Sequence, residues 1–243
     1  MIYFLIPLFN EENNVFQLLE SLKNSLPGRE KYFVFVDDCS TDKTKACISE
    51  NIRNIPYHII EKAERMGPGD SFNRGFEWIL SYSNNQLDII ITMEGDNTTD
   101  WNALPKMLQI AEIGYDLVLA SIYSQGGGFE QTTFFRKIIS FIANVSIRSF
   151  LGIKVQTVSS FYRIYKLSLI KNIKLEFSTI IEEKGFICML EILIKSIILK
   201  SSIIEVPVLL YSTRRKGKSK MKLFKTSISY LLFLFKYKRG SIV

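Results

Sequence analysis

Through the first 120 residues, short apolar runs alternate with longer mixed segments. The runs at 2–6, 32–36, 57–60, 88–93 and 116–120 have strand length, and their nearly unbroken apolar character predicts strands covered on both faces. Between them, residues 13–24 carry Val15, Leu18, Leu19 and Leu22 at helical spacing. Segments 42–50 and 70–82 predict two further helices, with Asp42 and Asp70 as N-caps. Such alternation predicts an α/β fold, a mostly parallel sheet flanked by helices.

Two of these strands run straight into acids. Residues 32–36 lead into Asp37-Asp38, and residues 88–93 into Glu94-Gly95-Asp96. Unpaired carboxylates are costly in a dry core, so both clusters belong at the edge of the sheet. In open parallel sheets ligands bind beyond the carboxyl ends of the strands, where both clusters fall.

The 243 residues, 47% of them hydrophobic, suffice for one large α/β domain or a domain with an appended module. A formal charge of +7, with Lys and Arg crowding residues 214–222, points to an anionic partner such as a phosphate substrate or an anionic membrane surface. These cations cluster by an apolar tail and not among stacked aromatics, which argues against nucleic acid. Cys39, Cys47 and Cys188 are too few and too irregular for a disulfide framework or a zinc site, which suggests a reducing compartment. The single histidine, His58, reads as a strand residue. Residues 2–6 lack a basic flank and read as a first buried strand, and no run reaches the ~20 apolar residues needed to cross a bilayer.

The first strand delivers Pro7-Leu8-Phe9-Asn10-Glu11-Glu12-Asn13, and the second delivers Asp37-Asp38-Cys39-Ser40-Thr41-Asp42. A third loop, Arg65-Met66-Gly67-Pro68-Gly69-Asp70, has glycines that permit a tight turn and close approach of a ligand. The set resembles the nucleotide-sugar-binding half of family 2 glycosyltransferases, which have the Rossmann-like GT-A fold. Within that family it is most similar to the branch of dolichol-phosphate mannosyltransferases and polyprenyl-phosphate glycosyltransferases. The resemblance implies a nucleoside-diphosphate sugar donor, with Asp38 contacting the base and Pro7, Phe9, Glu11 and Val36 lining its pocket. Glu94-Gly95-Asp96 stands at the family's Asp-x-Asp, which implies donor contacts and a divalent cation, Mg2+ or Mn2+, on Glu94 and Asp96. Oxygen ligands suit such hard ions, and acids beside phosphates require one. Glu94 is longer than Asp by a methylene, and Thr98 stands where several relatives carry Gln.

In the second half, Gly126-Gly127-Gly128 predicts a flexible loop, followed by a helix over 133–151. That helix is apolar almost all round, with Lys137, Arg148 and Lys154 at intervals, so it is either buried or lies in a membrane interface. By resemblance, Arg136 and Ser140 on one face lie near an acceptor phosphate. Arg163, Glu191 and the motif Arg214-x-x-Gly217-x-Ser219-Lys220 follow in the order of the lipid-phosphate branch. The resemblance thus assigns acceptor binding to Arg136, Ser140, Arg163, Glu191, Arg214, Ser219 and Lys220, and catalysis to Asp96, Arg214 and Lys220. Three places depart from the branch. Ile122 stands in Ala120-Ser121-Ile122-Tyr123 where the branch has Gly-Ser-Arg-Tyr, Thr157 replaces an acid, and Cys188-Met189 replace an aromatic and a Gln before Glu191.

The expected layout is a GT-A domain over 1–221 and an amphipathic tail over 222–243. Residues 1–120 form its donor half and 121–221 its acceptor half. The tail either lies in the headgroup region with its lysines reaching anionic lipid, or docks on its own domain or a second copy. The expected activity is an inverting transfer of sugar to a polyprenyl phosphate, on the inner face of the membrane from the cytoplasm. A sugar-hydroxyl acceptor in cell-surface polysaccharide synthesis is the alternative and requires a general base, for which Asp100, Glu182, Glu183 and Glu191 are the candidates. A non-catalytic relative supporting a membrane assembly is a third reading.

Overall fold

The computed structural model describes residues 1–52, 54–131, 134–217, 229–230 and 232–234. Its elements in chain order are β1 (Ile2–Leu8), α1 (Glu12–Asn24), β2 (Lys31–Asp37), α2 (Thr44–Asn51), β3 (Tyr57–Glu61), α3 (Pro68–Tyr82), β4 (Ile89–Thr92), α4 (Leu104–Glu112) and β5 (Leu117–Ser121). They continue as β6 (Gly128–Glu130), α5 (Phe134–Leu151), β7 (Arg163–Lys166), α6 (Leu167–Phe177), α7 (Cys188–Ile198), β8 (Ile203–Pro207) and β9 (Leu209–Tyr211). The main sheet has the order β3-β2-β1-β4-β7-β5-β8. Only β7 runs antiparallel to its neighbours, β4 and β5.

Strand alternation divides the core into two layers. Tyr3 and Leu5 of β1 face one side with Phe72, Phe76 and Ile79 of α3 and the apolar residues of α6 and α7. Phe4 and Ile6 face the other with Val15, Leu18 and Leu22 of α1, Ile48 of α2 and Met107 of α4. Both faces of the sheet are therefore buried, as the continuous apolar runs require. Gly75 lets α3 settle on β1, because a Cβ there would meet Leu5 Cδ1 at 2.0 Å. His58 is a strand residue stacked on Trp78, with ring centroids 4.5 Å apart.

Several expectations are corrected. Helix α3 begins at Pro68, two residues before Asp70, because Pro68 opens the first turn and Gly67 at φ +93° makes the bend into it. Asp42 precedes the N-cap position of α2, which is Lys43, although its Oδ1 still accepts from the Thr44 N–H at 3.0 Å. The glycines at 126–128 do not form a loose loop, since Gly128 opens β6, which pairs in parallel with β9. Strands β6, β7, β8 and β9 lie outside the five runs that the sequence predicts as strands. The tail expectation falls largely outside the described residues. Of those described, Phe233 and Leu234 are buried in the domain's own core, while Leu232 is exposed.

Candidate active site

Register brings the strand ends together. Leu8 at the end of β1 pairs with Asp37 at the end of β2, and the Asp38 N–H donates to Leu8 O at 2.8 Å. Strand β4 lies on the other side of β1, so its acid loop faces the same edge. Gly95 presses on β1, where a Cβ would meet Leu8 Cδ2 at 2.3 Å, and this close contact holds the acids against the strand end.

A cavity of about 740 Å³ opens at this edge. Its lining includes Pro7, Phe9, Glu11, Asp38, Glu94, Gly95 and Asp96. Val36 does not line it: its side chain is fully buried in the core on the α3 side of the sheet, so its expected place in the base pocket is corrected.

Asp38 is held from three directions. Its Oδ1 accepts from the Met66 N–H at 2.8 Å, its Oδ2 from the Gly67 N–H at 2.9 Å, and Lys62 Nζ lies 2.6 Å from Oδ1. Lys62 also reaches Asp70 at 2.8 Å and is 1% exposed in its side chain, so one buried cation sits between two carboxylates. Nearby, the Arg65 guanidinium lies 3.7 Å over the Phe9 ring, an arrangement with a polar edge and a flat face suited to a base. The glycines of this loop serve the chain's own backbone. A Cβ on Gly69 would stand 1.8 Å from Glu183 O, and the Gly69 N–H donates to Lys184 O at 2.9 Å.

Asp96 is equally constrained. Its Oδ1 accepts from the Thr98 hydroxyl at 2.7 Å, and its Oδ2 faces Arg215 through Nε at 2.6 Å and Nη2 at 2.5 Å. Burial, reinforced by the charge of Asp96, pushes the Glu94 carboxyl up to about 7. This acid binds a proton more tightly folded than unfolded, so its favourable protonated state is lost as pH rises through about 7. Glu94→Gln is therefore expected to raise the melting temperature by roughly 2 °C or more at pH 8 and to change it little at pH 5, as differential scanning calorimetry would detect.

The donor set fits a divalent cation. Asp96 already presents an oxygen to a positive group, and Glu94 is a second, half-buried carboxylate beside it. Among the described residues no three His, Cys, Asp or Glu side chains gather as a complete metal site. A cation here would take its remaining ligands from a diphosphate and water, as Mg2+ commonly does.

The same cavity is also lined by the apolar residues Ile122, Ala143, Ile147, Val158, Phe161, Phe186 and Leu234. Ser140 lies there and hydrogen-bonds the Tyr123 hydroxyl at 2.6 Å. Thr157 pairs with the Ser121 hydroxyl at 2.7 Å, and its N–H donates to Glu205 at 2.8 Å.

Three expected acceptor residues lie elsewhere. Arg163 is fully buried beneath the sheet edge, donating to the carbonyls of Ser160, Val158 and Met189, each at 2.8 Å. Glu191 accepts from the Glu182 and Glu183 N–H groups and pairs with Lys195 at 2.8 Å, so it braces the segment before α7. Arg214 stacks on Tyr211 at 3.6 Å, and it is Arg215 that reaches the acids. The Arg136 side chain, Ser219 and Lys220 lie outside the described residues. Sequence reasoning missed Lys62, Arg65 and Arg215. For Arg215 the signal was present in the Arg214-Arg215-Lys216 run, but not which arginine faces inward.

This architecture is GT-A, and the model of the glycosyl transferase family 2 matches residues 3–174. The chain belongs to that family. It is 28% identical over 236 residues to a dolichol-phosphate mannosyltransferase of Pyrococcus furiosus, covering 96% of this chain and 62% of that protein. A polyprenol monophosphomannose synthase of Mycolicibacterium smegmatis is 26% identical, covering 89% and 79%, and an undecaprenyl-phosphate mannosyltransferase of Micrococcus luteus is 28% identical, covering 89% and 86%. The chain thus spans under two thirds of the Pyrococcus protein. Among solved structures, glucosyl-3-phosphoglycerate synthase of Mycobacterium tuberculosis, in complex with Mn2+, UDP and glucosyl-3-phosphoglycerate, superposes with a TM-score of 0.64. It shares 16% identity, with 96% of this chain and 79% of that chain covered. The same protein with Mg2+ and UDP gives 0.63 at 16% identity, over 96% and 79%. Among the described residues, no helix is long and apolar enough to cross a membrane.

Proposed function

We propose that this chain transfers a sugar, with inversion, from a nucleoside-diphosphate sugar to a polyprenyl phosphate at a membrane surface. The observation that carries this reading is the mixed lining of the cavity, in which the acids that follow β2 and β4 share one space with apolar side chains from α5, 157–161, Phe186 and Leu234. A charged donor and the first units of a lipid tail would meet in such a space. The three curated relatives described above, each named for a polyprenyl-phosphate acceptor, support it.

In this reading Asp38 accepts from a base N–H, and Phe9 with Arg65 supplies the flat face beside it. Glu94 and Asp96 hold Mg2+ or Mn2+, which when bound neutralises charge growing on the departing diphosphate. The acceptor phosphate oxygen forms its bond to the anomeric carbon as the bond to the diphosphate oxygen breaks on the opposite face. A phosphate is already anionic, so positioning matters more than deprotonation. Asp100, Glu182, Glu183 and Glu191 do not line the cavity, which disfavours the sugar-hydroxyl alternative. Asp100 instead accepts from the Asn102 and Leu209 N–H groups.

Helix α5 leaves Ile138, Phe141, Ile142 and Phe150 exposed, with Lys137 and Arg148 along it. An apolar face with cations at intervals suits the headgroup region of an anionic membrane, on its cytoplasmic side. Residues 1–120 would serve the donor, joined there by Arg215, and the rest of 121–221 the acceptor. The test is to incubate the protein with membranes and radiolabelled UDP- or GDP-sugars. Label is expected in the organic, lipid-containing phase, and label found only in water-soluble glycan would overturn the lipid-phosphate assignment.

A further inference from the structure

We propose that Arg215 is a positioning residue of the donor site that exchanges with the divalent cation at Asp96. The inference rests on the reading of Asp96 as the cation's ligand. Two nitrogens of Arg215, Nε and Nη2, converge on the single oxygen Asp96 Oδ2, at 2.6 and 2.5 Å. Both partners are partly buried, with side-chain exposures of 20% and 14%. The other oxygen, Oδ1, is taken by the Thr98 hydroxyl and N–H. A cation seeking Asp96 therefore meets a guanidinium on the one oxygen that a neighbouring hydroxyl does not hold.

Arg215 is not a stray surface arm. The Asn14 side chain grips the residue after it from both sides, accepting from the Lys216 N–H at 2.8 Å and donating to Lys216 O at 3.0 Å. On the other side of Arg215, the Tyr211 N–H donates to Thr98 O at 3.1 Å and the Leu209 N–H to Asp100 at 3.1 Å. The segment 209–216 is thus strapped across the acid loop at both ends, with Arg215 between the anchors. Asn14 also donates to Glu11, which lines the cavity, so the strap is tied to the cavity wall.

Two positive groups cannot share one carboxylate oxygen without mutual repulsion, so guanidinium and metal compete for Asp96. Once displaced, the guanidinium stays tethered beside the cavity, where its planar fork can take diphosphate oxygens. Arrival of cation and donor would then shift the strap from the acid to the phosphates. The residue gives the acid a positive partner before the metal arrives and carries that charge to the phosphates afterwards.

The experiment is a titration of the full chain with Mn2+ alone, following the free-ion signal by electron paramagnetic resonance. Arg215→Gln, Arg215→Lys, Asn14→Ala and Asp96→Asn are compared with the wild type, and circular dichroism verifies that each is folded. Arg215→Gln is expected to bind Mn2+ about 2–5-fold tighter, the range set by loss of a partly exposed ion pair. Arg215→Lys should stay near the wild type, and Asn14→Ala should show a smaller gain because the strap is loosened while its charge remains. Unchanged or weaker Mn2+ binding by folded Arg215→Gln, or none by either protein, overturns the exchange. Wild-type Mn2+ binding by Asp96→Asn overturns instead the underlying reading of Asp96.

Discussion

Replacing Asp96 with Ala is expected to lower sugar transfer by at least ~10³-fold, the scale of losing a metal-centred charge stabilisation worth several kcal/mol. The loss should fall on kcat and on metal dependence together, because the charge that needs neutralising develops only as the diphosphate departs. Stability should change little by comparison. Asp96 and Arg215 are each partly exposed, so the arginine left behind can turn to water. Steady-state assays across a Mn2+ series, with a melting curve on the same preparation, separate the two effects. Retention of more than a tenth of wild-type activity would remove Asp96 from the reaction.

The largest effect on folding is expected from Lys62→Met. Lys62 is 1% exposed in its side chain, with Asp38 at 2.6 Å and Asp70 at 2.8 Å, and its ammonium also donates to Ser71 Oγ at 3.1 Å. Removing it leaves two carboxylates facing each other with little water, and breaking a buried pair by deleting one partner costs roughly 3–5 kcal/mol. The Lys62–Asp70 contact helps hold the Asp70 carboxyl below its usual range against the opposing effect of burial, so its loss should also raise that group's pKa. Urea denaturation measures the stability directly. The exposed pair Lys45–Glu61, with side-chain exposures of 40% and 62%, is the comparison. Its removal should move the denaturation midpoint hardly at all, as is usual for surface ion pairs. Nucleotide binding should weaken with Lys62→Met as well, since Asp38 loses one of the groups that fix its orientation.

The acid-tipped strands of the first half were legible in the sequence because their signals are local. Apolar runs of strand length, each ended by acids, state both the strand and the edge at which it stops. Strand β7 carried no such signal. Arg163-Ile164-Tyr165-Lys166 has only two apolar residues between cations, and it is a strand because β4 and β5 offer open backbone on either side. Arg163 misled for the same reason. A buried arginine is unusual in a sequence reading, and its three carbonyl partners come from chain segments that meet only in the fold. The choice between Arg214 and Arg215 turned on one residue of register in a short turn, where Arg214 leans on Tyr211 and Arg215 points to Asp96. Glycines 67 and 69 were read as room for a ligand, yet the room is taken mostly by the carbonyls of Glu183 and Lys184. Glycine marks a close approach but does not say what approaches.

In the proposed donor site, Asp38 holds the base end and Asp96 the metal end of one nucleotide. Isothermal titration of the full chain with UDP and with GDP, in Mn2+ and again after chelation, tests it most directly. Binding of at least one nucleotide in Mn2+, weakened at least ~10-fold by the chelator and lost in both Asp38→Ala and Asp96→Ala, is the expected result. Equal affinity with and without Mn2+, or no binding of either nucleotide, would contradict it.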